Sequence, residues 1–364
     1  MSERSSAFEE KTRFAKSKRF KILFLVSLFI LCLIVAFLAL LVGPSGLKAS
    51  EALPALFGQG DPTAVRIVQS IRIPRILAGL IAGAALSLAG LIMQTTLGNE
   101  MASPSTLGVS NAAIFGANLS IIVFSGGMLH TGNNPTNITT SVNPYFASAT
   151  AFIMAMLSVL LILGLSTIRR FAPGVVVLAG IAIGAVWTGL TTLIQFFATD
   201  VGLNAAVIWS FGDLGRATYT DCAIMAVVTI GCLVFFAIFS WRYNALLAGE
   251  GYAKSIGVKV EMLRFASLLL ASLLTAVSIS RLGAIGFIGI ICPHAVRRII
   301  GNDHRYLIPG SFLCGSLLLL LSDTVGRTIG GGASVPVGAV TALIGAPFFL
   351  YLVFARKESA YVRG

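Results

Sequence analysis

Charge is what this chain has least of. Asp, Glu, Lys and Arg together make up 11% of its 364 residues, while hydrophobic residues make up 56%. A water-soluble domain carries roughly 25% charged side chains, so most of this surface must face something other than water. The alternating apolar–polar pattern of an outer-membrane barrel strand is also missing. With lipid as the solvent and no barrel, only helices satisfy every backbone group internally. The expected fold is all-α, a single polytopic membrane domain.

Other absences narrow the function. No Gly-Lys pair occurs, so there is no G-x-x-x-x-G-K-[ST] loop to hold a nucleotide's phosphates. There is no G-x-S-x-G, and His294 has neither an evident serine partner nor a second ligand nearby, which argues against an intramembrane hydrolase and a metal site. The glycines at 283, 286 and 289 follow no strand and read as a close-packing surface. The five cysteines lie mostly inside apolar runs without a C-x-x-C and read as small apolar fillers. A net charge of +12 would suggest nucleic acid in a soluble domain. Here the basic residues sit in the gaps between apolar runs, so the expected surroundings are membrane lipid and no nucleic acid.

What the chain has in abundance is apolar length. A hydrocarbon core of about 30 Å takes roughly 20 residues of helix. Ten runs qualify: 20–42, 73–97, 105–125, 145–168, 175–197, 221–241, 264–281, 286–300, 307–325 and 336–355. The eighth is short and contains Pro293, as a partial or broken span would. The first, apolar from Ile22 to Val42, is too long for a signal-peptide core and lacks a cleavage site, so it reads as a spanning helix. Turn residues punctuate the connections, among them Gly43-Pro44, Gly126-Gly127, Asn143-Pro144, Pro173-Gly174 and Gly330–Gly332.

Of the 26 Lys and Arg residues, 19 fall on one set of connections and 7 on the other. The positive-inside rule puts the richer set, with both chain ends, in the cytoplasm, which requires an even number of spans. The expected organisation is a basic tail over 1–19, one transmembrane domain over 20–355 and a short tail over 356–364. Two connections stand out. The inner segment 242–263 is too polar to span and has a helix–glycine–helix pattern around Gly257. The outer segment 198–220, with Trp209 and Phe211, reads as a short amphipathic helix lying on the outer surface.

Taken together, several motifs resemble one family. They are R-I-P-R at 72–75, the A-G-x-x-L-x-x-x-G-x-x-x-Q pattern ending at Gln94, N-E-M-A-S-P-S-T-L-G-V-S at 99–110 and V-L-A-G at 177–180. L-L-A-G-E-G-Y-A-K-S-I-G at 246–257, A-I-G-F-I-G-I-I-C-P-H-A-V-R-R at 284–298 with D-H-R at 303–305, and V-P-V-G-A-V-T-A-L-I-G-A-P-F-F at 335–349 follow in order. The chain resembles the permease subunit of type II ABC importers for iron-siderophore, haem and vitamin B12 uptake. That resemblance implies about ten helices per subunit in a bacterial inner membrane, paired as a homodimer or with a close paralogue. It also implies cytoplasmic ATPase subunits that carry the ATP and magnesium, and an extracytoplasmic binding protein. This chain would bind no cofactor of its own. A ferric siderophore is the expected solute, with haem or vitamin B12 as alternatives.

Site residues follow in the same way. Arg72, Arg75 and Arg327 would form a rim that docks the binding protein through its glutamates. Two plainer readings stand beside this: interfacial anchoring by long basic side chains, and an i,i+4 ion pair between Asp323 and Arg327. Asn99, Glu100 and Met101, with Pro173 and Gly174, would form the cytoplasmic gate. The plainer reading of the first three is a helix C-cap with a stop at Pro104. Glu100 replaces the proline of the family's usual N-P-L-A. Glu250, Ala253 and Gly257 would lie in helices that fit the ATPase, against a solvated loop. Trp187, Thr191, Gln195 and Thr341 are pore candidates, against hydrogen bonding between helices. Neither the fifth nor the tenth run carries a charged residue, which argues against an ion-coupled secondary transporter, the alternative of a different class.

Overall fold

A computed structural model of the chain describes residues 2–43, 45–125, 143–168, 171–329 and 335–355. Pro44, Gly126-Gly127, Arg169, Arg170, Gly330–Gly332 and the tail 356–364 lie outside those residues. Among the described residues the structure is helical, with no strand.

All ten apolar runs are helical. α1 is Ser2–Leu41, so its helix begins well before the expected apolar start. Two short helices follow, α2 (Ala49–Leu56) and α3 (Pro62–Ile67). α3 passes through a wide π-type turn at Val68–Arg72 into α4 (Ile73–Leu97). Pro74 has no N–H to return to the preceding turn, and such widened turns are one way a helix absorbs the defect. The second run is therefore longer than its apolar core, a continuous helical stretch from Pro62 to Leu97. α5 (Val109–Asn118) widens in the same manner over Leu119–Phe124. Then come α6 (Pro144–Thr167), α7 (Pro173–Phe196), α8 (Asp200–Ser210) and α9 (Tyr219–Ile238). The polar segment after α9 forms α10 (Ser240–Leu247) and α11 (Glu250–Ser255). α12 (Val260–Leu282), α13 (Ile288–Ile300), α14 (His304–Ile329) and α15 (Val337–Ala355) complete the chain.

Among the described residues seven helices are long and apolar enough to cross a membrane, and two shorter apolar ones run over Val109–Phe124 and Val337–Tyr351. α13, at 13 residues, rises only about 20 Å at 1.5 Å per residue, short of a full crossing. Its entry is irregular: Phe287 takes a left-handed φ of 66° just ahead of it. Pro293 lies inside α13 without ending it.

α4 is the central helix, packed between α14, α12, α13 and α9. Its small residues make that possible. A Cβ on Gly83 would collide with the backbone of Gly315, and one on Gly90 with that of Gly289. Helices in lipid associate by such close approach, because apolar side chains gain little from leaving lipid. Hydroxyls add bonds across the same contact: Ser87 Oγ donates to Ser311 O and Ser316 Oγ to Leu80 O, each at 2.7 Å. Large apolar side chains of α1, α7, α9 and α15 face outward, among them Leu23, Leu178, Val227 and Leu343.

The outer segment departs from its expected place. Trp209 and Leu214 are buried, and Asp213 N donates to Leu282 O at 2.8 Å. A Cβ on Gly212 would meet Ala284 O. The segment after α8 is therefore fastened into the bundle instead of lying flat on the surface.

Candidate functional site

The end of α4 at Leu97 gathers several of the expected site residues. Gly98 adopts the left-handed conformation that ends the helix, and its N–H and that of Asn99 close onto the last turn. Asn99 Oδ1 accepts from Met101 N at 2.9 Å, a local turn that starts the loop. Glu100 reaches toward α13, 3.8 Å from His294 Nδ1 and 3.9 Å from Arg297 Nη1. Gln94, one turn back, donates to Gly289 O at 3.1 Å and accepts from Arg297 Nη2 at 3.3 Å. The loop that departs from the family's proline is thus held to α13 by charge. The far end of the loop meets α7: a Cβ on Gly180 would strike Leu107 and Thr106. Pro173 is the first residue of α7, and Gly174 is exposed beside it.

The same end of α4 is bonded to the polar segment 242–263. Arg264, buried in the second turn of α12, donates from Nε to Thr96 O at 3.0 Å. Its Nη2 lies 2.9 Å from Glu250 Oε2 at the start of α11. Thr96 O is one of the carbonyls a helix end leaves without an intrahelical partner. One guanidinium therefore ties the polar segment to the last turn of α4, before the loop that starts at Asn99. Glu250 also pairs with Lys254 at 2.7 Å. Lys254 first, with Arg264 also contributing, holds the Glu250 carboxyl below its usual range. A lowered carboxylate pKa makes the bridge fully present above about pH 4.5, and it is lost as pH falls through the folded value. Ala253 is the buried residue of α11, and Gly257, with a φ of +85°, makes the break before α12. A second break, at Gly249, divides α10 from α11.

A second tie joins α10 to α4. Asn244 Oδ1 accepts from His304 N at 2.9 Å and faces its Nδ1 at 2.8 Å, while His304 Nε2 lies 2.8 Å from Thr95 Oγ1. Asn244 Nδ2 donates to Asp303 Oδ1 at 2.9 Å. Sequence reasoning missed Arg264, Asn244 and His304 as site residues. Arg264 stood only as one more inner charge, and its partners are 14 and 168 residues away in the chain.

At the outer end lie the three arginines expected to form the docking rim. Arg72, Arg75 and Arg327 are all buried and committed internally. Arg75 grips Asp323 through Nε at 2.9 Å and Nη2 at 2.8 Å. Arg327 Nε lies 3.0 Å from the same carboxylate, an ion pair set off the hydrogen-bond direction. Arg327 Nη1 donates to Ala39 O and Val42 O, and Arg72 Nη1 to Leu40 O and Leu41 O. These are the last carbonyls of α1, unsatisfied and at the negative end of its dipole. Burial follows from that need: the arginines cap α1 and bind it to α4 and α14. The i,i+4 pair Asp323–Arg327 is present as the plainer reading had it.

The pore candidates are likewise turned inward. Trp187 Nε1 donates to Ser158 Oγ at 3.0 Å, Thr191 to Trp187 O at 2.8 Å, and Gln195 Nε2 to Asn118 Oδ1 at 2.9 Å. Thr341 is buried and bonds Gly338 O. Those on α7 face α5 and α6. Polar groups on the open side of α7 are Thr188 and Thr192, with Asn111 of α5 donating to Thr188 Oγ1 at 3.1 Å.

Comparison with known proteins fits this architecture. The model of the FecCD transport family matches residues 31–355. A Methanocaldococcus jannaschii protein named as an ABC transporter permease is 46% identical over 92% of this chain and 94% of its own. The cobalamin import system permease of Halobacterium salinarum is 37% identical, covering 86% of this chain and 80% of its own. The Fe(3+)-citrate import system permease of Bacillus subtilis is 34% identical over 80% and 84%. A solved inward-facing ABC transporter, described as of a metal-chelate type, superposes with a TM-score of 0.77 at 28% identity, covering 91% of this chain and 98% of that one. The chain, a bundle of membrane-length helices with a bonded inner-face segment, belongs to the FecCD transport family of ABC importer permeases.

Proposed function

We propose that this chain forms half of a pore that passes a ferric siderophore inward, and that two copies enclose the path. The observation that carries the reading is the Arg264 bridge, which connects a polar inner segment to the helix end that begins the gate loop. In this reading a separate ATPase, carrying the ATP and magnesium, grips α10–α11. Its closure shifts the permease between states to which it binds unequally. Glu250, Ala253 and Gly257 form the gripped surface and its hinge. Asn99, Glu100, Met101, Pro173 and Gly174 form the gate, and the family's usual proline is replaced by an ionic hold on α13.

A soluble binding protein delivers solute to the outer end. Arg72, Arg75 and Arg327 brace that platform from below, and Arg66 stands exposed on it. The path wall is assigned to Asn111, Thr188 and Thr192, while Trp187, Thr191, Gln195 and Thr341 support it from behind. The outward apolar faces of α7 and α15 are where a second copy would sit. Cobalamin is a second candidate solute, favoured by the similarity to the Halobacterium permease.

Gly257→Glu tests the coupling assignment. A side chain at φ +85° is strained, and a charge would sit on the gripped face. Uptake of labelled solute in vesicles carrying the whole importer should fall to roughly a tenth of wild type, a coupling loss of about 1.4 kcal/mol. Membrane abundance should be unchanged. Wild-type uptake by this variant would contradict the assignment. Supplying ferric siderophore and cobalamin in parallel decides the solute.

A further inference from the structure

We infer that this chain carries a binding site for an anionic phospholipid between the inner ends of α9 and α12. A cavity of about 360 Å³ opens there, lined by Arg242 and Lys259 together with Phe235, Phe239, Met262 and Ala266. Among the described residues neither cation is in an ion pair. Arg242 Nε is buried without a hydrogen-bond partner. Its guanidinium lies over the Phe239 ring, 4.4 Å from the centroid, and 5.3 Å from that of Trp241. Buried polar atoms are nearly always satisfied, so the cavity holds one donor, Arg242 Nε, that lacks an acceptor, with the exposed Lys259 beside it.

The occupant must supply oxygens to two cations and apolar surface to the remaining walls. A small hydrated anion supplies only the first. A phospholipid supplies both, with its phosphodiester between Arg242 and Lys259. Its acyl chains would run along the exposed Val234 and Ile238 of α9 and Phe265 of α12. The level is right: the cavity sits where α9 ends and α12 begins, with the exposed Trp241 at the same boundary, as aromatic side chains sit at a membrane interface. The side is right too, since charge asymmetry puts this end in the cytoplasm. Basic pockets between helices on that face suit anionic headgroups. The site spans both ends of the polar segment 242–263, so a bound lipid would brace that segment. The inference rests on the membrane reading and not on the transported solute.

Native mass spectrometry of the full chain in detergent, titrated with phosphatidylglycerol or phosphatidylcholine, tests it. Arg242→Gln with Lys259→Gln should weaken phosphatidylglycerol binding roughly thirty-fold, about fivefold for each basic residue removed. Phosphatidylcholine should be little affected. Met262→Trp, which keeps both charges and fills the cavity, should also displace the lipid, and it guards against misfolding of the charge variant. Glycerophosphate at millimolar concentration should not compete. Unchanged adducts in both variants would overturn the inference. So would competition by glycerophosphate, which would mark a free-phosphate site. If the charge variant instead loses a co-purifying ATPase with its lipid adducts intact, the cavity belongs to that partner and the lipid assignment fails.

Discussion

Replacing Arg264 by glutamine is expected to cut uptake by the assembled importer roughly tenfold or more, while ATP hydrolysis by the partner continues. The guanidinium is buried and makes two bonds at once, to Thr96 O and to Glu250. Each hydrogen bond involving a charged group contributes about 1.5–3 kcal/mol, and losing about 1.4 kcal/mol of coupling is already tenfold. Glutamine is shorter and uncharged, so it cannot reach both partners. Glu250 would keep only Lys254, an exposed pair of the kind worth about 0.2–1 kcal/mol. The Asn244–His304–Thr95 tie between α10 and α4 would remain. Arg264→Lys keeps the charge but not the planar fork, so it should fall between the two. The measurement is solute accumulated per ATP hydrolysed in reconstituted vesicles. A wild-type ratio in the glutamine variant would remove Arg264 from the coupling path.

Asp323→Ala is expected to be the most destabilising single change at the outer end. Asp323 is 1% exposed and is shared by Arg75 and Arg327, whose side chains are 9% and 2% exposed. Removing the carboxylate leaves two buried guanidiniums whose remaining partners include Asp213, 3.5 Å from Arg75 Nη2, and the carbonyls of Ala39 and Val42. Breaking a buried pair in this way costs about 3–5 kcal/mol. The effect should spread to α1, because Arg327 also caps its carbonyls. Thermal unfolding in detergent, followed by exposure of a cysteine introduced on α1, would register the loss. Unfolding at the wild-type temperature would mean that the network is not structural. An Asp323→Asn variant keeps the shape but not the charge, and it should recover only a minor part.

The helices were legible because lipid imposes a simple rule, apolar length: among the described residues seven are long enough to cross, while α13, from the run already marked as short, falls below that length. Close packing at Gly289 was legible from its spacing, though not its partner Gly90, because the chain does not reveal which helix lies opposite. The docking arginines show the limit most clearly. Arg72, Arg75 and Arg327 looked like exposed charges at helix ends because their spacing places them at the interface. Arg72 and Arg327 turn to carbonyls at the end of α1, up to 288 residues away, and Arg75 to Asp323, 248 residues away, and no local pattern encodes that. Trp187 and Gln195 stand out in the sequence as polar groups within a span, and their side of α7 goes with Ser158 and Asn118 on neighbouring helices. The tie through Arg264 was hidden for the same reason. Its value lies in two partners brought together only by folding.

The most direct test of the account places the purified chain alone in sealed vesicles, with ferric siderophore or cobalamin outside and a proton or sodium gradient imposed. The expected result is no accumulation under any gradient, and accumulation once the ATPase subunit, the binding protein and ATP are supplied. Uphill accumulation by the chain alone would contradict it, for the bundle would then carry its own coupling machinery.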